Sequence, residues 1–296
     1  MQISAPAKLN LFLHITDRRN DGYHLLESLF VFTKLGDLLT ITPHNELRFT
    51  FHGPFQSVFK TQSLSDNLIV RAAKLLKEKY QVATGALIQL TKNIPVGAGL
   101  GGGSSDAAAT LIGLNRLWKL NLHREALAEI GLLLGADVPA CLYQQPLFVS
   151  GIGEKLRPVT LPFKTSPVLL IKPNQSLSTP TVFGQFQKNA SPFSPSILPP
   201  SLPQEWDAFL NFLAKQKNDL QSPASHFLPI IHTLLDLLSN QPGCRLARMS
   251  GSGPTCFALF ENQELAKNAY KILKESFPGF WIMPTEIPWD QIHYIT

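Results

Sequence analysis

Cysteine is scarce in this chain, and what there is stands apart. Cys141, Cys244 and Cys256 form no Cys-x-x-Cys pair, which excludes a disulfide framework and a thiolate zinc site and favours a reducing compartment. The eight histidines show no metalloprotease spacing. No long basic run occurs either; the formal charge of +5 is spread over both halves. The surface therefore reads as evenly solvated rather than as a nucleic-acid stripe, although a mild positive excess suits polyanionic ligands. No apolar stretch approaches the length of a membrane span. The start, Met1-Gln-Ile-Ser-Ala-Pro-Ala-Lys-Leu-Asn10, lacks a basic segment leading into an apolar core, so no secretory signal is expected and a cytoplasmic location is. No internal repeat of fixed period is present. With 44% hydrophobic and 16% charged residues over 296 positions, the chain reads as globular, with core enough for one large domain or two.

Glycine, by contrast, is concentrated. Five of the seven residues from Gly97 to Gly103 are glycine, and Ser104, Ser105 and a run of helix formers follow. Upstream, Gly85–Ile94 is apolar and partly alternating, as in a strand. The order is strand, glycine loop, helix start. Glycine lets the backbone curve tightly and lets a ligand approach without meeting a Cβ. A helix beginning near Ser104 or Ser105 aims unpaired N–H groups and a partial positive charge at the loop's contents. That suits a phosphate chain.

The loop is not a Walker A motif, because it closes without a lysine. Gly97, Gly99 and Gly102 match Gly-x-Gly-x-x-Gly, but a dinucleotide fold needs a second strand ending in an acid about 20 residues on. Here Thr110–Leu120 and His123–Leu134 both read as helices. Protein-kinase signatures are missing as well.

Along the chain, Ser4–Ile15 and Tyr23–Phe32 read as a hairpin about the turn at Arg18–Gly22. Asp37–Thr42 and Glu46–His52 read as strands, and Asp66 is expected to cap a helix through Ile69, Ala72, Ala73, Leu76 and Tyr80. Beyond about residue 150, Val168–Lys172, Arg245–Met249, Thr255–Phe260 and Trp281–Glu286 read as strands. Trp206–Ala214, Leu228–Leu238 and Gln263–Glu275 read as helices. The five prolines of Ser191–Pro203 predict an exposed, extended loop.

Three further segments could carry chemistry. Lys8 and Asn10 share one face of an otherwise apolar strand, though such a lysine is usually a solvated residue. Asp137 lies in Gly135-Ala-Asp-Val-Pro139, where a turn or cap role competes with that of a base. Ser250-Gly-Ser-Gly253 is a second glycine turn that supplies backbone donors.

Together these segments resemble the GHMP kinases (galactose, homoserine, mevalonate and phosphomevalonate kinases), whose phosphate loop reads Pro-x-Gly-x-Gly-Leu-Gly-x-x-Ser-Ser. The stretches Ala5–Leu13, Arg19–His24, Asn67–Ala73, Gly97–Asp106, Gly135–Pro139 and Ser250–Gly253 occur in the family's order. They narrow the resemblance to the branch that phosphorylates a cytidine diphosphate-linked methylerythritol in the non-mevalonate route to isoprenoid precursors. The resemblance implies an α+β, two-domain GHMP kinase fold. Residues 1–153 are expected as a ribosomal-S5-domain-2-like α/β domain with the ATP phosphate loop. Residues 154–296 are expected as a ferredoxin-like α+β domain completing the substrate site.

It also implies transfer of the ATP γ-phosphate to the substrate 2-hydroxyl, with Asp137 as general base and Lys8 neutralising charge. Pro95, Val96, Gly97, Ala98, Gly99, Leu100, Gly101, Gly102, Gly103, Ser104 and Ser105 are expected around the ATP phosphates. Ser105 is also expected to contact Mg²⁺, and Asn67 and Lys92 to lie on the adenine side. Tyr23 and Phe183 are expected to sandwich the cytosine while His24 reads its edge, and Asn10 and Thr179 to hold the erythritol diphosphate. A monomer or weak homodimer is expected, with neither nucleic acid nor membrane as partner. The alternatives are another GHMP-type kinase acting on homoserine or mevalonate, a nucleic-acid binding module and a Rossmann oxidoreductase.

Overall fold

The first half of the molecule grows from two long strands. The computed structural model describes residues 1–60, 63–197, 199 and 201–290. β1 (Gln2–Arg18) and β2 (His24–His44) form an antiparallel hairpin, its turn closed where Arg19 N donates to the Tyr23 carbonyl at 2.7 Å. The two segments expected at Tyr23–Phe32 and Asp37–Thr42 are parts of this single strand. β4 (Gly85–Thr91) pairs with β2, and β3 (Leu47–His52) runs parallel to β4. β5 (Leu147–Gly151) and β6 (Lys155–Pro158) extend the other edge. The first sheet thus continues past the expected division after residue 153.

A bulge in the hairpin decides where the chemistry sits. The β1–β2 register shifts between Pro6 and Lys8, where Gly36 lies so close that an added Cβ would stand 2.7 Å from the Ala5 carbonyl oxygen. A bulge re-aims the side chains that follow it. Ile3 and Ala5 pack in the helix-side core, whereas Ala7, Leu9 and Leu11 pack in the core between the two sheets. The even-numbered Lys8 and Asn10 are thereby left facing the helices.

Those helices are α1 (Leu68–Lys79), α2 (Gly102–Leu117), α3 (Arg124–Leu132) and α4 (Val138–Cys141). The cap of α1 is Asn67, not the expected Asp66: its side chain accepts from Ile69 N at 2.9 Å. Asp66 ends a preceding short turn, one residue too early to reach that N–H. α2 begins at Gly102, ahead of the start expected near Ser104 or Ser105, because left-handed Gly101 (φ 62°) caps it. Its buried run Ala107–Ala109 and Gly113 bring it close onto the sheet; a Cβ at Gly113 would lie 2.4 Å from Ile41.

The second half is an antiparallel sheet of β7 (Thr165–Lys172), β8 (Cys244–Met249), β9 (Cys256–Phe260) and β10 (Trp281–Pro288), in the order β10-β7-β9-β8. That order, with helical crossovers, is the ferredoxin-like arrangement. Alternation along β7 divides its cores: Val168 and Leu170 face the first sheet, Leu169 and Ile171 the helices. Those helices include α5 (Thr179–Lys188), α7 (Gln221–Phe227), α8 (Ile230–Ser239) and α9 (Gln263–Ser276), while α6 (Trp206–Ala214) closes the inter-sheet core with Phe209. Neither α5 nor α7 was expected.

The proline-rich stretch is irregular, as its composition dictates, but its described part is tied down. Ser194 N donates to the Ile15 carbonyl at 2.8 Å, and Ser194 Oγ donates to Asp219 at 2.7 Å. Ser196 Oγ and Ile197 N both donate to Glu27. The expected free loop is therefore a strap pinned across β1 and β2 by two carboxylates.

Candidate active site

A cavity of about 910 Å³ opens where the two halves meet. Every residue expected to react or to bind ATP or the acceptor borders it except Ser105, and Gly251 and Ser252 of the second glycine turn border it as well. Lys8 and Asn10 arrive from β1 just after the bulge. Lys8 is only 4% exposed, so it is no solvated surface lysine. Its Nζ donates to Asn10 Oδ1 at 2.9 Å, lies 3.1 Å from Asp137 Oδ2 and stands 4.3 Å from the centroid of the Phe30 ring. Asn10 is held in turn, its Nδ2 donating to Ser28 Oγ at 3.0 Å.

Asp137 stands at the N-cap of α4, followed by Pro139, yet its side chain makes no capping hydrogen bond. The carboxylate is free to turn into the cavity, where it remains 36% exposed. The result is a buried ammonium and a half-open carboxylate side by side. Such a pair can accept a proton from an alcohol and balance charge on an adjacent anion.

Above this pair runs the glycine loop. Gly97, Gly99 and Gly101 all have positive φ, at 67°, 73° and 62°. The first N–H groups of α2 have no intrahelical partner and point at the loop. The second glycine turn, between β8 and β9, braces it: Ser250 Oγ donates to the Gly99 carbonyl at 3.1 Å, and Thr255 N to that of Ala98 at 3.3 Å. A Cβ at Gly99 would stand 2.6 Å from the Gly253 carbonyl oxygen. Gly99→Ala is therefore expected to destabilise the protein by about 1–3 kcal/mol. Denaturant unfolding measures that loss, and calorimetric titration is expected to show nucleotide binding lost with it.

Ser105 is different. It is fully buried and interacts with Cys141 on α4, while Ser104 faces the cavity. No group of three or more His, Cys, Asp or Glu side chains among the described residues is spaced to hold a metal ion. The expected Mg²⁺ contact through Ser105 does not fit this geometry, because Ser105 is fully buried and does not border the cavity. Lys92 is also committed, its ammonium lying between Asp37 and Asp106 at 2.5 and 2.6 Å. It borders the cavity from beneath Gly102.

At the far end, Tyr23 is 61% exposed on the rim. The His24 and Phe183 rings lie 5.2 Å apart with a 31° tilt. Burial, aided by Arg18, holds the His24 imidazole below its usual range, so it is neutral at physiological pH. Thr179 begins α5 and its hydroxyl meets Ser252 Oγ at 2.8 Å.

Sequence reasoning missed several supporting residues. Phe30 looks like an ordinary core aromatic. Asp37 reads only as the first residue of a strand. Asn218, whose Nδ2 donates to the Met249 and Gly251 carbonyls at 2.8 Å, lies in a polar run with no distinguishing pattern.

Residues 67–145 match the N-terminal domain of the GHMP kinases and residues 204–279 their C-terminal domain. A 4-diphosphocytidyl-2-C-methyl-D-erythritol kinase of Chelativorans sp. (strain BNC1) is 43% identical over 291 residues, covering 97% of this chain and 96% of that one. A crystal structure of 4-(cytidine 5'-diphospho)-2C-methyl-D-erythritol kinase superimposes with a TM-score of 0.78 at 33% identity, over 97% of this chain and 99% of the other. A homoserine kinase from Cytophaga hutchinsonii gives a TM-score of 0.68 at 17% identity, over 100% and 97% of the two chains, and shares the fold alone. A glycine cradle, a lysine–aspartate pair beneath it and sequence likeness over nearly the whole length agree: the chain belongs to the 4-diphosphocytidyl-2-C-methyl-D-erythritol kinases, a branch of the GHMP kinases.

Proposed function

We propose that this protein transfers the γ-phosphate of ATP to the 2-hydroxyl of 4-diphosphocytidyl-2-C-methyl-D-erythritol. The observation that carries the reading is the Lys8–Asp137 pair, 3.1 Å apart, in one cavity with the glycine cradle at one end and the aromatic rim at the other. Phosphoryl transfer asks for alignment and charge neutralisation more than covalent help. Asp137 accepts the hydroxyl proton as the new P–O bond forms. Lys8, steadied by Asn10 and Phe30, offsets charge on the transferring group. The backbone N–H groups of α2 and the glycine loop hold the phosphates.

Tyr23 and Phe183 flank the cytosine, His24 reads its edge, and Thr179 with Asn10 holds the diphosphate and polyol. Mg²⁺ enters this reading as an escort of the nucleotide, since it is usually bound by substrate phosphates and water rather than a protein cage. Highly charged substrates of this kind place the enzyme in the cytoplasm. No helix among the described residues is long and apolar enough to cross a membrane.

The test is ADP release in a coupled assay with the cytidyl acceptor, homoserine and mevalonate as separate substrates. Turnover with the cytidyl acceptor alone is expected; equal turnover with either of the others would remove the assignment. Phe183→Ala is expected to raise acceptor KM about 5- to 150-fold, as for loss of one stacking platform worth about 1–3 kcal/mol. Its effect on kcat should be far smaller, and steady-state kinetics separates the two. Because His24 is held neutral, acceptor KM should stay level above about pH 7 and rise only as the imidazole charges under more acid conditions.

A further inference from the structure

We propose that Lys92 is a positioning residue: its single ammonium, shared by Asp37 and Asp106, ties together the two stems of the phosphate cradle and sets the grip on a triphosphate. The proposal rests on the ATP reading above and adds a device to it. On the upstream stem, Asp37 Oδ1 accepts from Asn93 N at 2.6 Å and Ile94 N at 2.9 Å, the two residues before Pro95. Its Oδ2 takes Lys92 Nζ at 2.5 Å. On the downstream stem, Asp106 belongs to the first turns of α2, and its Oδ2 takes the same Nζ at 2.6 Å. A Cβ at Gly102 would lie 3.2 Å from that nitrogen, so the ammonium sits directly under the first residue of the helix. Moving either stem breaks a buried, charge-assisted hydrogen bond.

Stability alone does not account for the cluster. A buried cation with buried acids is often no better for folding than an apolar cluster of the same volume. Fully ionised, the triad carries one net negative charge, which is the wrong sign beneath a triphosphate. Burial pushes Asp106 up to about 8 against the pull of Lys92, and Asp37 adds to the rise. Among the described residues Asp106 Oδ1 has no hydrogen-bond partner, so it can carry the proton. The groups that act on Asp106 are Lys92 at the end of β4 and Asp37 on β2. Cys141 on α4 also feels Asp106, and burial keeps its thiol protonated. With Asp106 protonated the triad is neutral and the grip is full; with Asp106 ionised the triphosphate is repelled.

The experiment is calorimetric titration of the whole protein with ATP at several pH values, alongside steady-state kinetics. For the wild type, affinity is expected to hold up to neutrality and to weaken through about pH 8, by at most about tenfold per pH unit for one proton. Asp106→Asn, which mimics the protonated acid, is expected to flatten that profile. Lys92→Met alone strands two carboxylates, so Lys92→Met/Asp106→Asn is measured beside it. The double variant is expected to bind ATP at least tenfold more weakly, its KM for ATP rising more than kcat falls. A wild-type pH profile in Asp106→Asn, or wild-type ATP affinity in the double variant, overturns the proposal whatever the melting temperature. Failure of the wild type to bind ATP at any pH would instead overturn the kinase reading.

Discussion

Asp137→Ala is expected to lower kcat by about two to four orders of magnitude, the usual worth of a positioned general base. ATP affinity should stay within about twofold of wild type, because the groups that grip the phosphates are backbone donors of another segment. The side chain makes no cap bond to α4, so its removal does not unravel the helix that carries it. Lys8 loses one partner but keeps Asn10 and the Phe30 ring. Single-turnover kinetics at saturating ATP, with nucleotide binding measured separately, is the direct check. Asp137→Asn keeps the shape and should be nearly as slow. Wild-type turnover in either variant would show that the proton leaves by another route.

Lys8→Met should produce the second large loss, about a hundred- to a thousandfold in kcat, as when one preorganised charge-stabilising donor is removed from a transition state. Methionine fills much of the same volume, and Asp137 is open enough to be solvated once alone. The fold should therefore survive, which thermal unfolding would verify. Lys8→Arg is not conservative here. A Cβ at Gly101 would already lie 3.2 Å from Lys8 Cε, so the wider guanidinium has to push the cradle aside. Arginine is expected to lose ATP affinity as well as rate. If Lys8→Arg instead keeps both, the ammonium's fixed place beneath the loop has no catalytic meaning.

Local pattern made much of this molecule legible. Helix periodicity located α1 and α9, the crowding of glycine located the phosphate cradle, and polar–apolar alternation located the hairpin. What escaped reading has a common cause. β5 and β6 are short and acquire strand character only from their neighbours. The expected cap at Asp66 lost to Asn67 because one residue's difference in the preceding turn decides which oxygen reaches Ile69 N. The strap at 191–203 was expected in solvent because its prolines exclude regular structure, but nothing local announces that Asp219 and Glu27 wait to bind its serines. Ser105 followed the motif into the expected set, while the helical turn put it against Cys141 instead.

By itself, the order of residues determined that a strand runs into a glycine-rich bend and then a helix, since backbone freedom and helix-end charge are properties of a few adjacent residues. Tertiary structure alone decided that Lys8 is buried beside Asp137. A bulge opposite Gly36 turns one strand over, and the N-terminus of α4 brings in a carboxylate from more than a hundred residues away. Conformational preference is short-ranged and can be read along a chain; the meeting of two charges depends on how distant elements pack, and packing is settled only when the whole core closes.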